Sequence, residues 1–285
     1  MEVVTDVQST LGEGPIWYGE RLYWVDILEK KVHSYAPDRN EVRTLQLDQF
    51  VGTVVPRRRG GLVVALQNGF AFLAEDGTVT PIADPEADKP DNRFNDGKCD
   101  PAGRFWAGTM PMDEQRPVGS LYMLDLQGQV HRKLSGVTIS NGICWSDDGK
   151  TMYYIDTPTH QVIAYQFDMD SGEIRDPRTV VTIDPRDGAP DGMTIDERGY
   201  LWIGLWGGYA VVCYDPASGR RVAKLDVPVA RVTACAFGGP DLGDLYITTA
   251  RVGLSEADAA REPLAGRLFK TRVDVKGVPA FAYGA

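Results

Sequence analysis

One phrase recurs six times along the chain, and this recurrence limits the possible folds more than any other feature. A turn carrying Gly or Asp leads into a short apolar run, usually rich in aromatics. It reads Gly19-Glu20-Arg21-Leu22-Tyr23-Trp24, Gly60-Gly61-Leu62-Val63-Val64 and Gly103-Arg104-Phe105-Trp106. It returns as Gly149-Lys150-Thr151-Met152-Tyr153-Tyr154, Gly199-Tyr200-Leu201-Trp202 and Gly243-Asp244-Leu245-Tyr246. Successive runs begin about 40 to 49 residues apart, an interval typical of propeller blades. Further strand patterns follow each phrase, such as Val32-His33-Ser34-Tyr35 and Val162-Ile163-Ala164-Tyr165. Turn signals such as Asp76-Gly77 and Ser171-Gly172 then lead into a last strand. Helical periodicity is absent apart from one turn at Leu254 to Ala260. The expected fold is all-β: a six-bladed β-propeller with four-stranded antiparallel blades, forming one domain over residues 1–285. A pair of β-sandwiches would not require such a period. The extended segment Glu2 to Val7 is expected to pair with the C-terminal strands and close the ring.

Composition narrows the partners. The 285 residues carry a formal net charge of -10, and Arg57-Arg58-Arg59 is the one basic cluster. A nucleic-acid partner is not expected, because such proteins present a basic face. No apolar run of roughly 18 residues occurs, so no membrane-spanning helix is expected. Met1 to Thr10 lacks the cationic start and apolar run of a signal peptide. Cys99, Cys144, Cys213 and Cys235 are widely spaced, which suggests reduced, buried thiols in a cytoplasmic protein.

The inner strand of each blade should precede the recurring phrase. At the start of four inner strands stand polar residues: Glu13, Asn95 with Asp96, Asn141 and Asp191. They occupy equivalent places in different blades, so the propeller's symmetry should gather them at one end of the channel. The flanking segments Leu11-Gly12-Glu13-Gly14-Pro15, Ser140-Asn141-Gly142 and Pro190-Asp191-Gly192 place glycine where the backbone crowds the axis. Asn-Gly and Asp-Gly also make ordinary turns. Three such sites at one blade position, one of them a Glu between glycines, favour a shared role. Two carboxylates and an amide oxygen are hard ligands suited to Ca²⁺, Mg²⁺ or Mn²⁺, and an oxygen site leaves Zn²⁺ and Fe²⁺ open. His33, His131 and His160 fall outside these positions, which argues against a structural zinc site.

At these residues the chain resembles the senescence marker protein, regucalcin and gluconolactonase family, over nearly its whole length. The matching segments are Leu11 to Pro15, Arg93-Phe94-Asn95-Asp96-Gly97-Lys98, Gly108-Thr109-Met110, Ile139 to Gly142, Pro190-Asp191-Gly192-Met193 and Phe237-Gly238-Gly239-Pro240. The resemblance implies a six-bladed propeller that opens sugar-acid lactones with one divalent metal. It implies Glu13, Asn141 and Asp191 as metal ligands and Arg93 and Asn95 as substrate contacts. The family often places a glutamate after Gly-Thr-Met; counting along that loop gives Asp113, with Glu114 beside it. The segment Trp206-Gly207-Gly208-Tyr209 is similar to bacterial aldonolactonases.

Lactone opening needs a polarised carbonyl, a nucleophilic water and a base. Asp191 is the expected base, and Arg93 could steady the developing oxyanion. No G-x-S-x-G segment occurs, so a serine nucleophile is not expected. Trp17 and Trp206 are candidate pocket walls. The expected reaction is hydrolysis of an aldonolactone, such as a gluconolactone or pentonolactone, to the free acid. The alternatives are an organophosphate or aryl-ester hydrolase and a non-enzymatic calcium-binding propeller.

Overall fold

Blade 1 is built from Gly12–Tyr18, Arg21–Asp26, Lys31–Ala36 and Glu41–Gln46, each strand antiparallel to the next. The computed structural model describes residues 1–284 and repeats this four-stranded sheet six times. The inner strands of blades 2 to 6 are Val51–Pro56, Asn92–Cys99, Ser140–Trp145, Ala189–Ile195 and Val232–Gly238. Each inner strand packs on its two neighbours around the ring, giving the expected six-bladed β-propeller. Blade 6 takes its outer strand from the opposite end of the chain. Glu2–Gln8 pairs with Arg267–Arg272, with Glu2 opposite Lys270 and Val3 opposite Phe269. The ring therefore closes as expected, with the two ends of the chain held in one sheet. Helix is limited to short pieces, the longest being Glu256–Arg261, whose N-cap Ser255 accepts from the Asp258 N–H.

The recurring phrase has a local cause, seen most clearly in blades 3 and 5. Asp100 and Asp196 each stand six residues before a tryptophan and four residues before the backbone N–H they cap. Asp100 accepts from Trp106 Nε1 (2.9 Å) and from the amides of Ala102 and Arg104; Asp196 does the same for Trp202 (3.0 Å), Arg198 and Tyr200. One carboxylate thus shapes the Gly-containing turn and satisfies an indole N–H that would cost about 1–3 kcal/mol if buried unpaired. Between blades the alternating apolar faces interdigitate. Ile155, Val162, Met193, Leu201, Ile203 and Val212 form one such layer between blades 4 and 5.

All six inner strands share a device absent from the other strands as a set: the register slips near the mouth end of each. The slips lie between Glu13 and Ile16, Val51 and Thr53, Phe94 and Gly97, Asn141 and Ile143, Pro190 and Met193, and Val232 and Ala234. A bulge re-aims a side chain out of the pleat. Here it re-aims the same blade position six times. Adjacent inner strands then come so close that side chains are excluded. A Cβ at Gly192 would lie 2.3 Å from the Ala234 Cβ, and one at Gly142 would lie 2.7 Å from the Met193 Cβ. Glycine after Asn141 and Asp191 is thus a packing requirement of the axis. At the far end of the channel, Val278 to Phe281 cover a small cavity lined by Trp17, Lys98 and Trp145. No helix among the described residues is long and apolar enough to cross a membrane.

Candidate active site at the channel mouth

The six bulges open onto a cavity of about 590 Å³ whose lining comes from every blade. Glu13, Arg93, Asn95, Asn141 and Asp191 all line it. Around them stand Leu28, Phe50, Met110, Thr157, Trp206 and Arg231. Of the six residues expected to bind metal or substrate or to act as base, five are therefore brought together. Asp113 is the exception. Its carboxylate turns to Arg116 and accepts from the Gln115 N–H (3.1 Å), while Glu114 lines the cavity in its place. The cause is a tight turn: the Glu114 N–H donates to the Pro111 carbonyl at 3.1 Å, and Glu114 adopts a left-handed backbone with φ 57°.

Trp206 is in the wall, as expected, but Trp17 is not. Trp17 lies at the other end of its strand, stacked 5.6 Å from Tyr246 and facing the far cavity. The histidines also stay out of the cavity. His33 is buried in blade 1 against Trp24 and bonded to Thr44 Oγ1 (2.8 Å), and His131 pairs with Asp125.

A relay of hydrogen bonds crosses the floor. Arg93 Nη1 donates to Asn95 Oδ1 (2.7 Å) and to the Phe94 carbonyl. Asn95 Nδ2 donates to Asn141 Oδ1 (2.9 Å) and to the Ser140 carbonyl (2.8 Å). Asn141 Nδ2 donates to Thr157 Oγ1, which donates to the carbonyl of Pro190, the residue before Asp191. The amide of Asn141 is therefore fixed with its oxygen toward the axis, where a second lone pair is free. Both Nδ2 hydrogens of Asn95 are spent on neighbours, so it orients Arg93 and Asn141 and can only accept from a ligand, through the second lone pair of Oδ1.

Two buried carboxylates complete the centre. Asp191 Oδ1 is buried and finds no hydrogen-bond partner among the described residues. Desolvation, then the nearby Glu13 and Asp96, push the Asp191 carboxyl well above the usual range. Glu13 accepts from the Gly14 N–H at 3.1 Å, yet burial and then Asp96 raise its pKa to about 8. Burial lowers the Arg93 guanidinium, while Glu114, Glu13 and Asp191 oppose that shift. Two desolvated carboxylates, one with an orphaned oxygen, beside a fixed amide oxygen form a set short of positive charge. Glu13, Asn141 and Asp191 could hold a hard divalent cation, the remaining positions going to water. Among the described residues no three His, Cys, Asp or Glu side chains gather as a metal cage; this set needs the amide.

Similarity to known proteins agrees with this geometry. The sequence signature of the SMP-30/Gluconolactonase/LRE-like region matches residues 11–251. A Bacillus subtilis (strain 168) protein named "Putative sugar lactone lactonase YvrE" is 40% identical over 275 residues, covering 95% of this chain and 94% of its own. Regucalcin of Danio rerio is 39% identical over 289 residues, covering 99% and 98%. Among solved structures, a calcium-binding protein, regucalcin, from Agrobacterium tumefaciens superposes with a TM-score of 0.95 at 29% identity, covering 99% and 97%.

Proposed function

The chain belongs to the SMP-30/Gluconolactonase/LRE-like family, whose members include lactone hydrolases, and we propose that it opens a sugar-acid lactone to the free aldonic acid with one divalent cation at Glu13, Asn141 and Asp191. The observation that carries this reading is the orphaned, buried Asp191 oxygen beside a Glu13 carboxyl raised to about 8. A cation bound there would supply Lewis-acid polarisation of the ester carbonyl and make water more acidic. Its identity, among Ca²⁺, Zn²⁺, Mn²⁺, Mg²⁺ and Fe²⁺, is left to the experiment below.

The chain's own residues divide the remaining work. Asp191 takes a proton from the attacking water as the new C–O bond forms. Arg93, held rigid by Asn95, directs its remaining N–H groups at the lactone oxygens and stabilises the negative charge that develops there. The ring C–O bond then breaks, and the proton held at Asp191 passes to the departing alkoxide, leaving an acid and a hydroxyl. Glu114, rather than Asp113, reaches the sugar hydroxyls. Accordingly, Glu114→Ala is expected to raise KM about tenfold with a small change in kcat, and Asp113→Ala to move either by less than about twofold. Equal KM effects from the two variants would contradict the assignment. The free, buried cysteines support a cytoplasmic location.

A pH-indicator assay on metal-stripped protein tests the function directly. Adding each cation in turn is expected to restore acid release from a five-carbon or six-carbon aldonolactone far above spontaneous opening. Cleavage of a paraoxon-like ester with every lactone untouched would replace this reading with the aryl-ester one. Tight calcium binding without either activity would favour the non-enzymatic propeller.

A further inference from the structure

Arg231 stands across the cavity from Arg93 and Glu114, on the blade between those that carry Glu13 and Asp191. It lies just before the inner strand of blade 6, three blades from Arg93 and Glu114 in blade 3, and so on the opposite side of the axis. Its guanidinium packs over Trp206 with Cζ 5.4 Å from the ring centroid, which fixes the plane of the group. One hydrogen bond, from Nη2 to the Gly253 carbonyl at 3.2 Å, anchors it. Nε is buried and has no partner among the described residues, and none of the ion pairs found there involves Arg231. Glu262, beside the preceding residue, is engaged elsewhere: it accepts from the Ala230 N–H (2.9 Å) and the Tyr209 hydroxyl (2.6 Å).

The charges of the cavity make this arginine conspicuous. Glu13 and Asp191 together match one divalent cation, and Glu114 is the foremost charge supporting Arg93. Below them, Lys98 offsets Asp96. Arg231 is what remains, a single positive charge facing a cavity proposed to receive a neutral ester. A guanidinium whose plane is set by an indole, with N–H groups left over, suits planar two-point recognition of an oxyanion.

We infer that Arg231 reads an anionic oxygen group, a carboxylate or phosphate, carried by the lactone at the end remote from its ester carbonyl. The inference rests on the lactonase reading and narrows its substrate class. The ester carbonyl sits on the Arg93 side of Asp191, and the chain of hydroxylated carbons runs from blade 3 across the axis toward blade 6. The anion meets Arg231 against the Trp206 wall. A cation in this place also draws an anionic substrate into the cavity, so KM should rise with ionic strength for such a substrate and not for a neutral one.

Three probes separate the possibilities on metal-loaded protein: glucono-1,5-lactone, which is neutral, a glucarolactone, which carries a carboxylate, and 6-phosphogluconolactone. The native protein is expected to show a KM at least about tenfold lower for one of the charged lactones than for the neutral one, and which one identifies the anion. Arg231→Gln should raise KM for that lactone about tenfold more than for the neutral one, with Arg231→Lys recovering part of the loss. Should Arg231→Gln fold poorly, the native protein's KM for the charged lactone across a salt series decides the same question. Turnover of the neutral lactone with no preference for either charged one, or an equal loss on all three in Arg231→Gln, overturns this inference and leaves the lactonase reading standing. Turnover of none of the three overturns both.

Discussion

Replacing Asp191 with asparagine is expected to lower kcat by about 10³-fold while leaving the protein folded and able to take up a cation. The substitution keeps an oxygen at the position and removes the capacity to accept a proton, and general-base groups contribute roughly 10²–10⁴-fold. In the native chain the raised Asp191 carboxyl is caused first by burial and next by Glu13, so the two groups resist being charged together. A bound divalent cation offsets that repulsion and leaves Asp191 ionised, which is the form that can act as base. The amide that replaces it in the variant has no such form at any pH. Loss of turnover should therefore persist across the pH range, and alkaline conditions should not rescue it. The measurement is a pH–rate profile by indicator assay beside metal content and a melting curve for both proteins. A kcat within about tenfold of native, or a profile that recovers at high pH, would move the base to another residue. Alanine at the same position removes ligand and base together and should lose at least as much.

The sequence carried the fold because the repeat encodes it in local chemistry. Asp100 and Asp196, each six residues ahead of a tryptophan, impose the same turn and the same buried hydrogen bond, and that pattern is readable by counting. Glu13, Asn141 and Asp191 were legible for a related reason. Each is a polar residue beside a glycine at one repeat position, and the glycine is demanded by strands crowding the axis. What could not be counted depended on three dimensions. The reversal at Pro111 to Glu114 exchanges which of two adjacent carboxylates faces the cavity, and a left-handed glutamate gives no signal in the sequence. Trp17 follows Glu13 by four residues, which at about 3.3 Å per strand residue carries it some 13 Å down the channel and out of the site. Asn95 sits where expected, but its Nδ2 hydrogens go to Ser140 and Asn141, partners 45 and 46 residues away, so it can only accept from a ligand. Arg231 has no motif around it at all. Only the closed ring places it opposite Arg93.

Cation binding at this centre is expected to stabilise the chain more at pH 8 than at pH 6. Glu13 titrates near 8 in the folded, cation-free protein against an ordinary value of 4.5, so its folded pKa is the higher of the two. A raised carboxyl contributes its stability below the unfolded value and loses it as pH climbs through the folded one. Cation-free protein should therefore weaken between about pH 4.5 and 8, and Asp191, displaced in the same direction, adds to the slope. A cation reverses the balance, because it requires the ionised carboxylates and releases their protons on binding. At pH 6 part of its binding energy is spent expelling a proton from Glu13; near pH 8 that cost has largely gone. At a concentration 100-fold above its Kd, a cation stabilises by about 2.7 kcal/mol. For a domain of this size each kcal/mol moves Tm by roughly 2–4 °C, so the expected gain is about 5–10 °C. Thermal melts of stripped protein with and without excess Mn²⁺ or Ca²⁺, at both pH values, measure it. Glu13→Gln separates the causes: it removes the titrating group, so the cation-free protein should no longer weaken as steeply toward pH 8, and the cation-induced gain should shrink. Gains that match at the two pH values, or a gain undiminished in Glu13→Gln, would place the cation elsewhere.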